Sequence, residues 1–202
     1  MDKRPTDKRL LGAFFQDQSW EADHITFGDA LSYNNSITYS KFDSELGALF
    51  VAWTEWGLCY VGFSHQDEHQ TLSDAQKRFP NATWQYQAQS HQYNWLMFKQ
   101  HKLDGNKPFA LHLMGTAFQQ NVWCCLLRIP VGFWTTYGDL AVGLDKPKAS
   151  RAVGRAVGAN PLSIIVPCHR VFAANGDLHG YYWGLEKKST LLKFEAAITN
   201  SS

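Results

Sequence analysis

Ile164-Ile165-Val166-Pro167-Cys168-His169-Arg170-Val171 is the stretch on which the reading of this chain turns. Its β-branched apolar residues predict a buried, rigid run. Pro167 then fixes one backbone torsion and removes a hydrogen-bond donor. Cys168 is thereby held at the edge of a core, where its sulfur can face a pocket. Taken alone, a cysteine after an apolar run is usually a small buried hydrophobe. Its neighbours shift that balance. A nucleophilic cysteine needs a histidine, a positive charge or a helix N-terminus to become thiolate. His169 and Arg170 supply two of these within two residues. Adjacent side chains do not face each other in a helix or strand, so a Cys168–His169 relay is expected to run through a water.

Outward from this stretch, 202 residues suffice for one large or two small domains. The balance of 45% hydrophobic and 18% charged residues is that of a soluble globular protein. No apolar run reaches membrane-spanning length. Met1-Asp2-Lys3-Arg4-Pro5 lacks an apolar signal segment, so a cytoplasmic location is expected. Cys59, Cys124, Cys125 and Cys168 form no CxxC pair, and neither a disulfide framework nor a metal site is expected from them. Cys124-Cys125 reads as helix core. From residue 121 onward nine Lys/Arg stand against five Asp/Glu, whereas the first 120 residues carry ten against thirteen. The C-terminal part is therefore the face suited to a polyanion.

The periodicities predict an extension over residues 1–35, an α/β domain over 36–114 and a mostly helical domain over 115–202. Ile37–Phe42, Ala48–Trp53 and Leu58–Phe63, punctuated by Gly47 and Gly57, read as an antiparallel meander. A helix over Ser73–Phe79, capped by Ser73 and stopped before Pro80, should follow. Tyr93, Leu96, Met97 and His101 are spaced for a second helix over 91–103, and Phe109–Leu113 for a strand. In the second half, Thr116 precedes a helix whose apolar face is Phe118, Val122, Trp123, Leu126 and Leu127. Another helix begins at Thr136–Ala141, and a turn over Gly143–Pro147 leads to a third over Lys148–Gly158. Helix, short turn, helix is the layout of a helix-turn-helix. The third helix is rich in small residues, Ala149, Ala152, Gly154, Ala156 and Gly158, with Arg151 and Arg155 four apart. Such a helix suits tight packing on a neighbour. It equally suits close approach to a nucleic-acid backbone or groove. Gly180-Tyr181-Tyr182-Trp183-Gly184 is an aromatic loop able to line a pocket for a planar ring or to fill core. A last helix, near Leu185–Ala197, carries Glu195, a residue type that is ordinarily solvated on a helix.

Four motifs stand in order: Ile129-Pro-Val-Gly132 with Thr136-Tyr137-Gly138 and Leu140-Ala141; Arg151-Ala-Val-Gly154 with Asn160-Pro161; Pro167-Cys168-His169-Arg170-Val171; and Gly180-Tyr181 with Gly184, Lys188, Leu191-Leu192 and Glu195. Together they resemble the O6-alkylguanine-DNA alkyltransferases. Gly115–Gln120 and Gly180–Gly184 are most similar to the C-terminal part of the bacterial adaptive-response alkyltransferase, whose N-terminal zinc-cysteine module has no counterpart here. The resemblance implies a ribonuclease-H-like N-terminal domain and a helical domain carrying the helix-turn-helix. It implies direct repair of double-stranded DNA by a monomer with no cofactor. The alkyl group would pass irreversibly from O6 of guanine, and from O4 of thymine, to Cys168 once per molecule.

By the same resemblance His169 would take the thiol proton through a water and Glu195 would orient His169, a nucleophile–base–orienter relay. Tyr137 would donate a proton to the leaving purine. Asn160 would hold the turn into the Cys168 loop, and Lys188 would stand near the pocket. Tyr181, Tyr182, Trp183, Val171 and Pro167 would line it. Arg151 would fill the stack vacated by the flipped nucleotide, with Tyr137, Gly138, Lys146, Ala149, Ala152 and Arg155 on the DNA. Many relatives carry small residues where Tyr182-Trp183 stand, so methyl should transfer better than bulkier groups. A lesion-binding protein without transfer would lack Cys168. A major-groove regulator fits poorly with the Gly/Ala-rich helix, and a thiol hydrolase would need a way to release the thioether.

Overall fold

The computed structural model describes residues 9–15, 24–64, 68–88 and 110–199. The chain divides into two compact units, one of residues 22–116 and one that joins residues 1–21 to 117–202.

The first unit is built on a six-stranded sheet. Its centre is the meander expected from the sequence: β2 (Ser36–Ser44), β3 (Gly47–Thr54) and β4 (Gly57–Phe63), antiparallel throughout. Each hairpin closes with Ser44 opposite Gly47 or Thr54 opposite Gly57. Both glycines take positive φ, 105° and 134°, a region other residues rarely adopt. Gly57 is doubly required, because a Cβ there would stand 2.2 Å from the Ala110 carbonyl oxygen.

The rest of the sheet departs from an all-antiparallel reading. β1 (Ile25–Gly28), β5 (Thr83–Tyr86) and β6 (Leu111–Met114) all add in parallel, giving the order β1-β6-β4-β3-β2-β5. The sheet is mixed because a strand entering after a helix or a long connection can return in the same direction. Helix α1 spans Glu68–Arg78, so Ser73 is interior rather than a cap. Thr71, Ala75 and Phe79 are fully buried. That i, i+4 stripe needs a turn of helix before Ser73. The helix expected over 91–103 lies outside the described residues.

The second unit contains α2 (Ala117–Leu127), α3 (Tyr137–Gly143), α4 (Ser150–Gly158) and α5 (Leu185–Thr199). Two short strands, β7 (Thr135–Thr136) and β8 (Val171–Phe172), pair in parallel, Thr135 with Val171 and Thr136 with Phe172. This pair sets the start of α3 beside the exit of the Cys168 turn. Trp134, Phe172 and Leu192 pack as one buried cluster beneath it. α4 starts at Ser150, two residues later than the composition suggests, because Lys146–Ala149 closes a turn of its own with Ala149 N–H donating to the Lys146 carbonyl at 2.8 Å.

Two described parts of the span read as an extension belong to the compact units. Ile25–Gly28 is a strand of the sheet, and Arg9–Phe15 packs on the helical unit, where Arg9 pairs with Trp134 and Phe15 is buried. The apolar pair Phe14-Phe15 finds its core there.

Candidate active site

Asn160 shapes the turn that delivers Cys168. Its Oδ1 accepts from Leu162 N–H at 2.9 Å, and its Nδ2 donates to the Val166 carbonyl at 2.9 Å and to Cys168 Sγ at 3.2 Å. One buried amide thus spans the turn and touches the sulfur. Inside that span Ile164 holds φ at 76°, a left-handed conformation that costs a β-branched residue about 1–3 kcal/mol. Asn160 at both ends and the buried side chains of Ile164, Ile165 and Val166 hold it there. A short 3₁₀ turn, Cys168–Arg170, follows, with all three residues buried.

Behind the sulfur lies a buried charge cluster. Glu195 Oε1 is 2.9 Å from His169 Nε2 and accepts from Arg170 Nη2 at 2.6 Å, while Oε2 accepts from Arg170 Nε at 3.0 Å. Arg170 also donates to the Ile129 carbonyl. A carboxylate only accepts, so Nε2 carries the ring hydrogen and Nδ1 is the basic nitrogen of His169. Glu195 is 5% exposed, not solvated. Burying it is tolerable because Arg170 neutralises it through two charge-assisted hydrogen bonds. Arg170 therefore serves the carboxylate rather than the thiol.

The sulfur opens into a cavity of about 130 Å³ lined by Tyr137, Gly154, Val157, Gly158, Asn160, Ser163, Cys168, Gly180, Tyr181 and Tyr182. Burial, then the nearby Cys168, raises the Tyr137 phenol above its ordinary value. The same two causes, in the same order, raise Tyr181 well above it. Both phenols are protonated at neutral pH, as any phenol is, and the Tyr137 hydroxyl donates to the His179 carbonyl at 3.3 Å. Tyr137 is N1 of α3, fixed by a capping box in which Thr136 Oγ1 accepts from Asp139 N–H and the Asp139 carboxylate accepts from Thr136 N–H. Lys188, with no solvent exposure, donates to the carbonyls of Val171 at 2.6 Å, His179 at 2.8 Å and Gly180 at 3.3 Å. Its ammonium holds the loop that carries Tyr181. Burial pushes this lysine down to about 8, with Cys168 acting in the opposite sense.

The other three thiols lie outside this cavity. Burial raises Cys124 and Cys125 to about 11 and Cys59 further still, which leaves them protonated and weakly nucleophilic. Among the described residues no group of three or more His, Cys, Asp or Glu could hold a metal ion, and no helix is long and apolar enough to cross a membrane.

Residues 117–197 match the family described as the 6-O-methylguanine DNA methyltransferase DNA binding domain. The chain is 39% identical over 165 residues to the methylated-DNA–protein-cysteine methyltransferase of Methanosarcina acetivorans, covering 79% of this chain and 98% of that one. The chain belongs to the methylated-DNA–protein-cysteine methyltransferase family. It is also 40% identical over 172 residues to the bifunctional transcriptional activator/DNA repair enzyme Ada of Escherichia coli, covering 81% of this chain but only 46% of that protein. The crystal structure of Mycobacterium tuberculosis OGT in complex with DNA is similar at a TM-score of 0.64 and 34% identity, covering 80% of this chain and 94% of that one.

Of the residues that resemblance to this family singled out, Cys168, Asn160, Tyr137, Tyr181 and Tyr182 share the cavity. His169, Glu195 and Lys188 stand directly behind it. Pro167, Val171 and Trp183 do not line it. Val171 is fully buried in β8, where its carbonyl serves Lys188. Trp183 turns its indole N–H to Ser163 Oγ at 2.8 Å. Arg151 and Arg155 are exposed on α4, and Gly138, Lys146 and Gly158 are exposed nearby, whereas Ala149 and Ala152 are half-buried. Ala156 belongs to the core, its carbonyl accepting from the Trp123 indole at 2.9 Å. Sequence reading missed Ser163, whose signal was a lone hydroxyl inside the run Leu162–Val166. It also missed Gly154 as a cavity residue, where a Cβ would come within 3.7 Å of the Tyr137 ring.

Proposed function

We propose that Cys168 accepts the alkyl group from O6 of guanine in double-stranded DNA, in one irreversible step per molecule. The observation that carries this reading is that Cys168, next in the chain to the buried His169–Glu195 pair, lines one cavity with the phenols of Tyr137 and Tyr181. The S–C bond forms as the O6–C bond breaks. The thiol proton passes through a water to His169 Nδ1, and Glu195 bears the resulting imidazolium. Tyr137 donates to the departing purine, which would otherwise leave as an anion. O4-methylthymine, whose oxygen occupies a comparable place on its ring, is a second substrate.

The buried lesion must leave the stack. α3 and α4, joined by residues 144–149, are read as a helix-turn-helix that presents α4 to the minor groove, with Arg151 filling the gap and Arg155 and Lys146 on phosphates. Gly158 supports close approach, because a Cβ there would meet nothing within 4 Å in the protein itself. The first unit is read as ribonuclease-H-like, since a three-strand meander is followed by a helix and then by a strand parallel to the meander's first strand. The protein acts as a monomer in a reducing, cytoplasmic setting, which suits four free thiols.

Intact mass after incubation with duplex O6-methylguanine DNA tests the reading. One methyl is expected, on the peptide containing Cys168. Cys168→Ser should lose transfer and keep DNA binding. O6-benzylguanine should react more slowly than the methyl lesion. Demethylation by Cys168→Ser would remove the sulfur from the mechanism.

A further inference from the structure

We propose that residues Arg9–Phe15 form a strap that positions Tyr137 for the reaction, with Arg9 as a positioning residue; this deepens the alkyl-transfer reading and rests on it. Arg9 pairs with Trp134 as a parallel bridge. Leu10 N–H donates to the Trp134 carbonyl at 2.8 Å, and Thr135 Oγ1 returns a bond to the Leu10 carbonyl at 2.9 Å. The strap therefore runs beside the residues that lead directly into α3.

The Arg9 guanidinium crosses the Trp134 ring at 5.6 Å and donates to Asp139 Oδ2 through Nε at 3.0 Å and Nη2 at 2.8 Å. That same oxygen accepts from Thr136 Oγ1 at 2.6 Å and from Thr136 N–H at 3.3 Å. Arg9 thus sits on the capping box whose next residue is Tyr137. At the far end the strap meets α3 again by close approach. A Cβ on Gly12 would stand 2.5 Å from Val142 Cγ1, and a Cβ on Gly143 would stand 2.4 Å from the Cβ of Phe15. Arg128 ties the end down, donating to the carbonyls of Phe15 at 2.8 Å and Phe14 at 3.1 Å. Both ends of α3 are gripped, and Tyr137 is the member of α3 that lines the Cys168 cavity. A catalytic donor displaced by a fraction of an ångström loses much of its effect, so the strap acts on chemistry through this one side chain.

The test is a double-mutant cycle in the full chain, read by single-turnover transfer from duplex O6-methylguanine. Arg9→Ala is expected to slow transfer roughly tenfold and to leave the half-saturating DNA concentration unchanged. Gly12→Ala, which shifts the strap without changing charge, should act alike, and Arg9→Lys should restore part of the rate. In a Tyr137→Phe background, Arg9→Ala should add less than about twofold. Hydrogen exchange at the Asp139 amide should quicken in Arg9→Ala. A wild-type rate in both strap variants, or the full loss repeated without the Tyr137 hydroxyl, overturns the proposal. If the unaltered chain moves no methyl to Cys168, the functional reading fails by itself. The strap is then judged on exchange, and an unchanged Asp139 amide rejects it.

Discussion

A lysine ammonium with no solvent contact makes the sharpest demand of any residue near the sulfur. Lys188 meets it with three carbonyls for its three hydrogens, and a neutral amine would have only two to give. Burial pushes its proton affinity from about 10.5 down to about 8. The unfolded chain keeps the proton up to its ordinary value. Between those limits the unfolded chain binds more protons, so this group makes global stability rise with pH rather than fall. What weakens above about 8 is local, the hold on the His179–Tyr181 loop. The ratio of wild-type to Lys188→Met transfer rates should therefore fall as pH passes about 8 in single-turnover assays; a constant ratio would detach the ammonium from the loop's function. None of this was legible from composition, since a lysine between Lys187 and Ser189 on a helix reads as solvated. Resemblance to the family flagged it, and only the three carbonyls explain it. Glu195 was hidden in the same way. Its burial depends on Arg170, 25 residues away in sequence, and a partner at that distance leaves no local pattern.

Among the elements, α4 has one packed face and one open face, so the tight-packing reading holds for the first and the nucleic-acid reading stays a proposal for the second. Val153, Ala156 and Val157 are buried, which is the tight-packing role of small residues. Arg151, Arg155 and Gly158 are exposed, which leaves an approachable surface. Periodicity does divide this helix, with Val153 and Val157 four apart on the packed face and Arg151 and Arg155 four apart on the open one; only its alanines and glycines, which suit either face, leave the division blurred. Arg151 is exposed in the first turn of α4, and the proposed function gives it the gap left by a flipped nucleotide. Arg151→Ala should slow repair of a duplex lesion by roughly tenfold or more, since a flipped state costs a few kcal/mol to maintain. Reaction with free O6-methylguanine, which has no stack to leave, should change little. Equal losses on the two substrates would take Arg151 out of the flipping step. Helix ends were the least legible part. Ser73 looked like a cap because the stripe Thr71-Ala75-Phe79 begins on a threonine, which does not register as core in sequence.

Across the whole molecule, the misreadings beyond helix ends are long-range. The meander follows from glycines at hairpin corners, and the Cys168 turn from a proline after an apolar run. The parallel additions of β1, β5 and β6 depend on partners far along the chain, as does the return of Arg9–Phe15 to the helical unit. The same long reach makes the helical unit sensitive to its own reaction. Asn160 Nδ2 is buried and divides its donors between the Val166 carbonyl and Cys168 Sγ. Methylation leaves that sulfur a weak acceptor but adds a methyl group within a turn whose residues are all buried. Forcing an extra methyl into a packed site costs about 1–3 kcal/mol, and it presses on the Asn160 contact first. In a domain of roughly 100 residues each kcal/mol lowers Tm by about 4–8 °C. The turn at stake also holds Ile164 at a strained φ of 76°, so a weakened Asn160 leaves that strain less opposed. Protein reacted to completion with O6-methylguanine DNA and freed of it should therefore melt several degrees below the unreacted protein. Asn160→Ala, which never makes the sulfur contact, should start lower and shift less on methylation. Calorimetry of the four samples decides it: equal Tm before and after reaction in the unsubstituted chain would mean that the Asn160–Cys168 contact carries no stability.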